Sequence, residues 1–208
     1  MALPSSAGSD GVTSGPGAPQ AQWGFPNNIA FAVQQMLAKL QTATLVRIES
    51  CTNDGGVSPV GFVNVTPLVN QIDGQGNPTL HATIFNVPYF RLQGGANAVI
   101  MDPAPGDIGI AVFASRDITK VKATKKQGNP GSYRQYSFAD ALYIGGVLNG
   151  TPQQYIRFHD GGISVKTPVL TVDGDVIVTG DVTAGEISLR HHTHGGVSTG
   201  GSNTGEPN

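Results

Sequence analysis

The chain has 208 residues, of which 12% are charged and 38% hydrophobic, with 29 glycines, 14 prolines, one cysteine and a formal net charge of −2. That length holds one core with an appendage or two small modules, and so much glycine and proline argues against long helices and for an all-β chain. Lys and Arg are scattered, so no nucleic acid is expected as partner. Cys51, alone, excludes an intrachain disulfide and a cysteine-based zinc site within one chain, which suits synthesis in a reducing cytoplasm.

The opening MALPSSAGSDGVTSGPGAPQ has neither a basic start nor an apolar run of signal-peptide length, and no stretch of about 18 apolar residues follows it anywhere. Neither a secretory signal nor a membrane-spanning helix is expected. Residues 1–27 read as a flexible tail, in which Trp23 and Phe25 suit packing on their own domain better than docking on another protein. Asn28 is then expected to cap a short helix carrying Ile29, Val33, Met36, Leu37 and Leu40 on one face, covering one end of a barrel.

From Thr42 the period becomes two. Thr44–Glu49, Gly61–Val65, His81–Val87, Ala98–Met101 and Ile108–Phe113 alternate between turn-rich segments, and five such strands in about 80 residues suit a small closed barrel of the OB type. This barrel domain, helix included, is assigned to residues 28–152. Lys120, Lys122, Lys125 and Lys126 within it read as a solvated loop without aromatic interleaving.

Residues 153–190 differ. Ile156 and Phe158, Ile163 and Val165, Leu170 and Val172, and Val176 and Val178 form very short alternations, each followed by a turn. Gly-Asp-Val recurs at 174–176 and 180–182, with Gly185-Glu186-Ile187 as a looser copy. A repeat this short marks a β-helix or β-prism whose apolar side one chain cannot cover, so a homotrimer is expected. Arg157, Lys166, Asp173, Asp175, Asp181, Glu186 and Arg190 are placed outward, keeping the shaft soluble.

Residues 191–208 form the apex. Three of the five histidines stand at 191, 192 and 194. On an extended backbone His192 and His194 share a face, while His191 points with Thr193. Two imidazoles make a poor site, but on a three-fold axis the pair becomes six ligands in an octahedral set, suited to iron(II) or nickel(II) and structural in kind.

The chain resembles the central, membrane-puncturing baseplate spike of contractile-tailed bacteriophages. The residues that carry the resemblance are Pro105-Gly106-Asp107-Ile108-Gly109 and Arg134–Ala141 in the barrel, the Gly-Asp-Val shaft, and His192-Thr193-His194-Gly195-Gly196 leading to Gly200–Gly205. It spans roughly residues 28–208. It implies an N-terminal OB-fold domain beneath a tail hub, an intertwined trimeric β-helix shaft, and an apex where His192 and His194 of three chains hold one iron ion. It also implies a virion component at the tail tip that pierces the host outer membrane during contraction. The glycines after His194 would then let three chains crowd an axis.

Two other classes compete. A metal hydrolase lacks H-E-x-x-H or any similar ligand-plus-base spacing, and neither a serine elbow nor a nucleophilic cysteine motif is present, so no enzyme is expected. An OB-fold module for single-stranded nucleic acid or carbohydrate could stack its ligand on Phe85, Tyr89 and Phe90, although these fit barrel core and loop packing better.

Overall fold

A computed structural model describes residues 25–38, 40–73, 75–196 and 200–201. The expected tail up to residue 24, with Trp23, and the glycine-rich end from residue 202 lie outside the described residues. The chain divides into two compact units, residues 1–150 and residues 151–208.

In the first unit, helix α1 runs Phe25–Ala38. It begins three residues before Asn28, the expected cap, because Pro26 is tolerated in a first turn where its missing N–H has no partner to lose. The stripe of Ile29, Val33, Met36, Leu37 and Leu40 does not cover a barrel end as expected: every one is exposed, Met36 by 72%.

Five strands form one sheet: β1 (Ala43–Cys51), β2 (Phe62–Pro67), β3 (Ile84–Pro88), β4 (Ile108–Phe113) and β5 (Ala141–Gly146). Their order is β3-β2-β1-β4-β5, with every neighbouring pair antiparallel. The sheet curls until its two ends touch through a parallel bridge between Tyr89 and Tyr143, where the Phe90 N–H donates to the Tyr143 carbonyl at 2.8 Å. Alternation puts Val46, Ile48, Val63, Val65, Ala111, Phe113, Ala141 and Tyr143 inside the curl, together with Ile84, Val87 and Tyr89. Three register shifts tighten the curvature: one with its extra residue in β1 between Ile48 and Ser50, one with its extra residue in β3 between Ile84 and Val87, and one with its extra residue in β5 between Ile144 and Gly146. At the second, Asn86 takes a left-handed backbone (φ 57°) and its N–H donates to the Asn64 side chain at 3.0 Å.

The strand expected at Ala98–Met101 is not part of this sheet. Only Asn97–Ala98 is extended, and it pairs with Gln93–Gly94 in a two-residue ladder. The fifth place belongs to β5, whose Ala-Leu-Tyr-Ile run has no alternating polar residues to mark it. Gly109 permits the β4–β5 approach, since a Cβ there would overlap the Gly145 carbonyl and the Tyr143 ring. The lysine segment, expected as a loop, contains helix α2 (Thr119–Thr124).

Polar groups fix what the apolar core does not reach. Asp140 is fully buried and accepts from the Ile118 N–H and from Arg134, whose guanidinium also lies 3.0 Å from Asp117. Asp117 in turn accepts from the Thr119 N–H and the Ser132 hydroxyl; hydrogen bonding from the Thr119 side chain first, then from Ser132 and the Thr119 N–H, holds its carboxyl down at about 2. This knot orders the excursion between β4 and β5. A second knot joins Arg91 to Asp102, both with side chains almost wholly buried, and to the Tyr89 hydroxyl, which donates to Asp102 at 2.6 Å. Burial, then that bond, pushes the Tyr89 phenol up to about 12; burial does the same for Tyr143, helped by Asp107.

The second unit has no comparable interior. Strands β6 (Tyr155–His159) and β7 (Gly162–Lys166) form one hairpin, and β8 (Thr183–Ala184) and β9 (Ile187–Ser188) a smaller one. The alternations at Leu170 and Val172 and at Val176 and Val178 form no strand within one chain. No described residue after Thr151 is buried, and Ile156, Phe158, Val165, Leu170, Val172, Ile177 and Leu189 all stand in solvent.

Candidate metal centre

The site is built on the β8–β9 hairpin. Gly185 and Glu186 form its two-residue turn, with Gly185 at φ 63°, a conformation that a residue with a Cβ adopts only under strain. The pairing runs on past β9, because the Leu189 N–H donates to the Val182 carbonyl at 2.8 Å. Asp181 and Arg190 therefore face each other at the open end of the hairpin.

Asp181 uses that position fully. One carboxylate oxygen accepts from the Val182 N–H at 2.8 Å and the Arg190 N–H at 3.0 Å, and the other accepts from the Ser188 hydroxyl at 2.5 Å. The Ser188 bond lowers its pKa most, burial opposes it, and the two backbone N–H groups add to the lowering. The Ser188 hydroxyl also accepts from the His191 N–H at 2.9 Å. One carboxylate and one hydroxyl thus close a turn over Leu189–His191.

His192 is the first residue after that turn. Its backbone N–H donates to the Ser188 carbonyl at 3.1 Å, and its ring Nδ1 lies 3.0 Å from both the Ser188 and the Leu189 carbonyl oxygens. A carbonyl only accepts, so Nδ1 carries the proton and Nε2 is left with its lone pair free, as a metal ligand requires. The rings of His192 and His194 meet edge to face, with centroids 5.0 Å apart and planes at 77°. They meet beyond the turn, in a segment that pairs with no described strand of its own chain. His191 contributes its backbone N–H to the turn.

Among the described residues no group of three or more His, Cys, Asp or Glu side chains could hold a metal ion. Two imidazoles per chain agree with that: one chain offers part of a ligand set, and further copies would have to complete it. Asp181 and Ser188 are the residues that sequence reasoning missed. Asp181 was expected to face outward as a solubilising charge, and it is exposed; what the sequence did not show is that its carboxylate is engaged by three donors. The Gly185-Glu186 turn was the available signal, because a hairpin centred there brings residue 181 beside residue 190.

The other candidates fall elsewhere. In the first unit, Tyr89 is buried, whereas Phe85 and Phe90 are exposed and not core as expected. Phe85 lines a groove of about 550 Å³ with His81, Lys122 and Arg134. Arg134 there is already paired with two carboxylates, and the Lys122 ammonium lies 3.4 Å from the Asn86 and Ala139 carbonyls. No described helix is long and apolar enough to cross a membrane.

Residues 187–208 match the family model described as the GpV Apex motif, a span that takes in Ser188, His192 and His194. No curated protein matches the chain. The chain therefore carries, at its C-terminal end, the tip motif of a phage baseplate spike.

Proposed function

We propose that this protein is the trimeric spike at the tip of a phage tail baseplate, a virion component that pierces the host outer membrane during contraction. The observation that carries the proposal is the second unit itself: the segment leading to the apex motif exposes its apolar side chains along its described length and buries none. Burying one such side chain is worth roughly 1.5–3 kcal/mol, so a chain with this many uncovered is built to be covered by its own copies. Three copies intertwined as a β-helix would give Leu170, Val172, Val176 and Val178 the strand partners that one chain lacks.

The first unit supports an OB-fold reading. Strand order β3-β2-β1-β4-β5, with a parallel contact closing β3 onto β5, is the connectivity of a five-stranded Greek-key barrel. In a spike this domain, residues 28–152, would meet the tail hub, with the shaft at 153–190 and the apex at 191–208.

His192 and His194 of three chains would hold one iron ion through six imidazoles. The donor chemistry fits, since the protonated Nδ1 of His192 leaves Nε2 to bind. A bound ion supplies bonds that tie three chains at one point, and structural metal sites contribute on the order of 10 kcal/mol. A rod loaded end-on frays first at its tip, where strands have fewest neighbours, and the histidine turns oppose that fraying. Force comes from tail contraction, so the protein performs no catalysis.

The test is solution mass with metal analysis of the wild type and the His192→Ala/His194→Ala double variant. Trimers with about one iron per three chains, and iron-free double variants, are expected; a monomeric, metal-free wild type would refute the proposal. The exposed Phe85 and Phe90 favour a second reading, an OB-fold module for single-stranded nucleic acid or carbohydrate. Salt-sensitive oligonucleotide binding in a gel shift would support it, and the spike expects none.

A further inference from the structure

We infer that Asp181 is a positioning residue for the metal ligand His192, acting through Ser188. The inference rests on the metal-site reading and names the residues that prepare the ligand.

The path is short and fully bonded. Asp181 accepts from Arg190 N–H and from Ser188 Oγ, which fixes both ends of the turn. Ser188 Oγ then receives the His191 N–H, so residues 188–191 close with their carbonyls directed at one place. Two of those carbonyls, Ser188 and Leu189, converge on His192 Nδ1 at 3.0 Å each. A free imidazole distributes its proton between both nitrogens and turns about two bonds. Here the two acceptors choose the tautomer and hold the ring before any ion arrives, the role that carbonyl or carboxylate partners of histidine ligands play in metal sites generally.

Asp181 suits this role by its chemistry and its distance. Its two oxygens accept three bonds, two from backbone N–H groups and one from a hydroxyl, and a carboxylate does this without having to donate. It touches no histidine ring, so it does not compete for the ion. Asp173 and Asp175 lie in the same unit, are equally exposed, and make none of these contacts; they serve as internal controls.

The test uses the full-length protein as the wild type and as Asp181→Ala, Asp181→Asn, Ser188→Ala and Asp173→Ala variants. Each iron-loaded sample is challenged with a chelator and its iron half-life measured. Each is also stripped of metal and its His192 tautomer read from imidazole nitrogen-15 shifts. Wild type is expected to show a single Nδ1–H form. Asp181→Ala and Ser188→Ala should show mixed tautomers and lose iron about 10- to 100-fold faster, as removal of such partners does in other sites. Asp181→Asn, which keeps the acceptor facing Arg190, should fall between, and Asp173→Ala should match wild type. If Asp181→Ala and Ser188→Ala keep both the wild-type tautomer and the wild-type half-life, the inference is overturned. Should Asp181→Ala fail to fold, Ser188→Ala decides alone. A wild type that binds no iron removes the metal reading instead, and the tautomer comparison still decides whether Asp181 orients His192.

Discussion

The same residue types behave in opposite ways in the five-stranded sheet and in the segment after Gly150. Val46, Ile48, Val63 and Val65 are all but wholly buried, whereas Ile156, Phe158, Val172 and Ile177 face solvent, Ile177 by 92%. The first unit curls a five-stranded sheet until its ends touch and ties its excursions with two ionic knots, one of them buried. Among its described residues the second has two hairpins and buries no side chain. Hydrophobic pattern alone therefore does not say where a core will be; it says only that one is needed, in this chain or between chains.

The comparison is broken most severely by separating the copies. In the proposed trimer, dilution to monomer should cost the strand signal that residues 167–182, which form no strand in one chain, gain from other copies, and should keep that of the first unit; circular dichroism reads both. A strand signal that survives dilution whole would mean the second unit has a core of its own after all.

The contrast sharpens at Asp102. Its removal leaves the Arg91 guanidinium, whose side chain is only 2% exposed, with the Ser58 carbonyl and the Tyr89 hydroxyl but no carboxylate, and should lower the urea midpoint of the first unit clearly. Asp102→Ala should leave the mass of the assembly unchanged, since the knot lies wholly within the first unit. Loss of trimers in this variant would show that the two units do not stand apart energetically.

The smallest effect is a pH slope. The Asp117 carboxyl, held at about 2 against the ordinary 3.8, is depressed in the folded form. Its contribution is thus complete above about pH 4 and disappears as pH falls through about 2, because the unfolded chain takes up the proton first. The urea midpoint of the first unit should fall across that window, and Asp117→Asn should flatten the fall.

Much of this was legible in the sequence, for identifiable reasons. Ile108–Phe113 was placed to the residue, and β1 and β2 were found to within two residues at either end, because each buries one face and alternation records that. Strand β5 was missed because Ala141–Ile144 lacks polar alternation, and Ala98–Met101 was mistaken for it because a short apolar run is ambiguous in period. The helix stripe was seen, but helical spacing cannot say whether the stripe meets its own barrel; it does not. At the apex, spacing alone was a weak signal for His192 and His194; their rings lie together. Asp181 was not legible, since its importance lies in a turn geometry that brings it across a hairpin to three donors.

Closure of the first unit depends on Tyr89 and Tyr143, and both phenols are held neutral up to about 12. Below the ordinary tyrosine value of 10, neither the folded nor the unfolded form changes charge at these positions. The bridge that joins the two ends of the curled sheet is made by main-chain groups that do not titrate, and the two phenols beside it stay neutral across the range in which carboxylates and imidazoles titrate. Acid finds nothing to protonate in these two rings themselves; it reaches this side of the sheet through Asp102, the carboxylate that accepts from the Tyr89 hydroxyl.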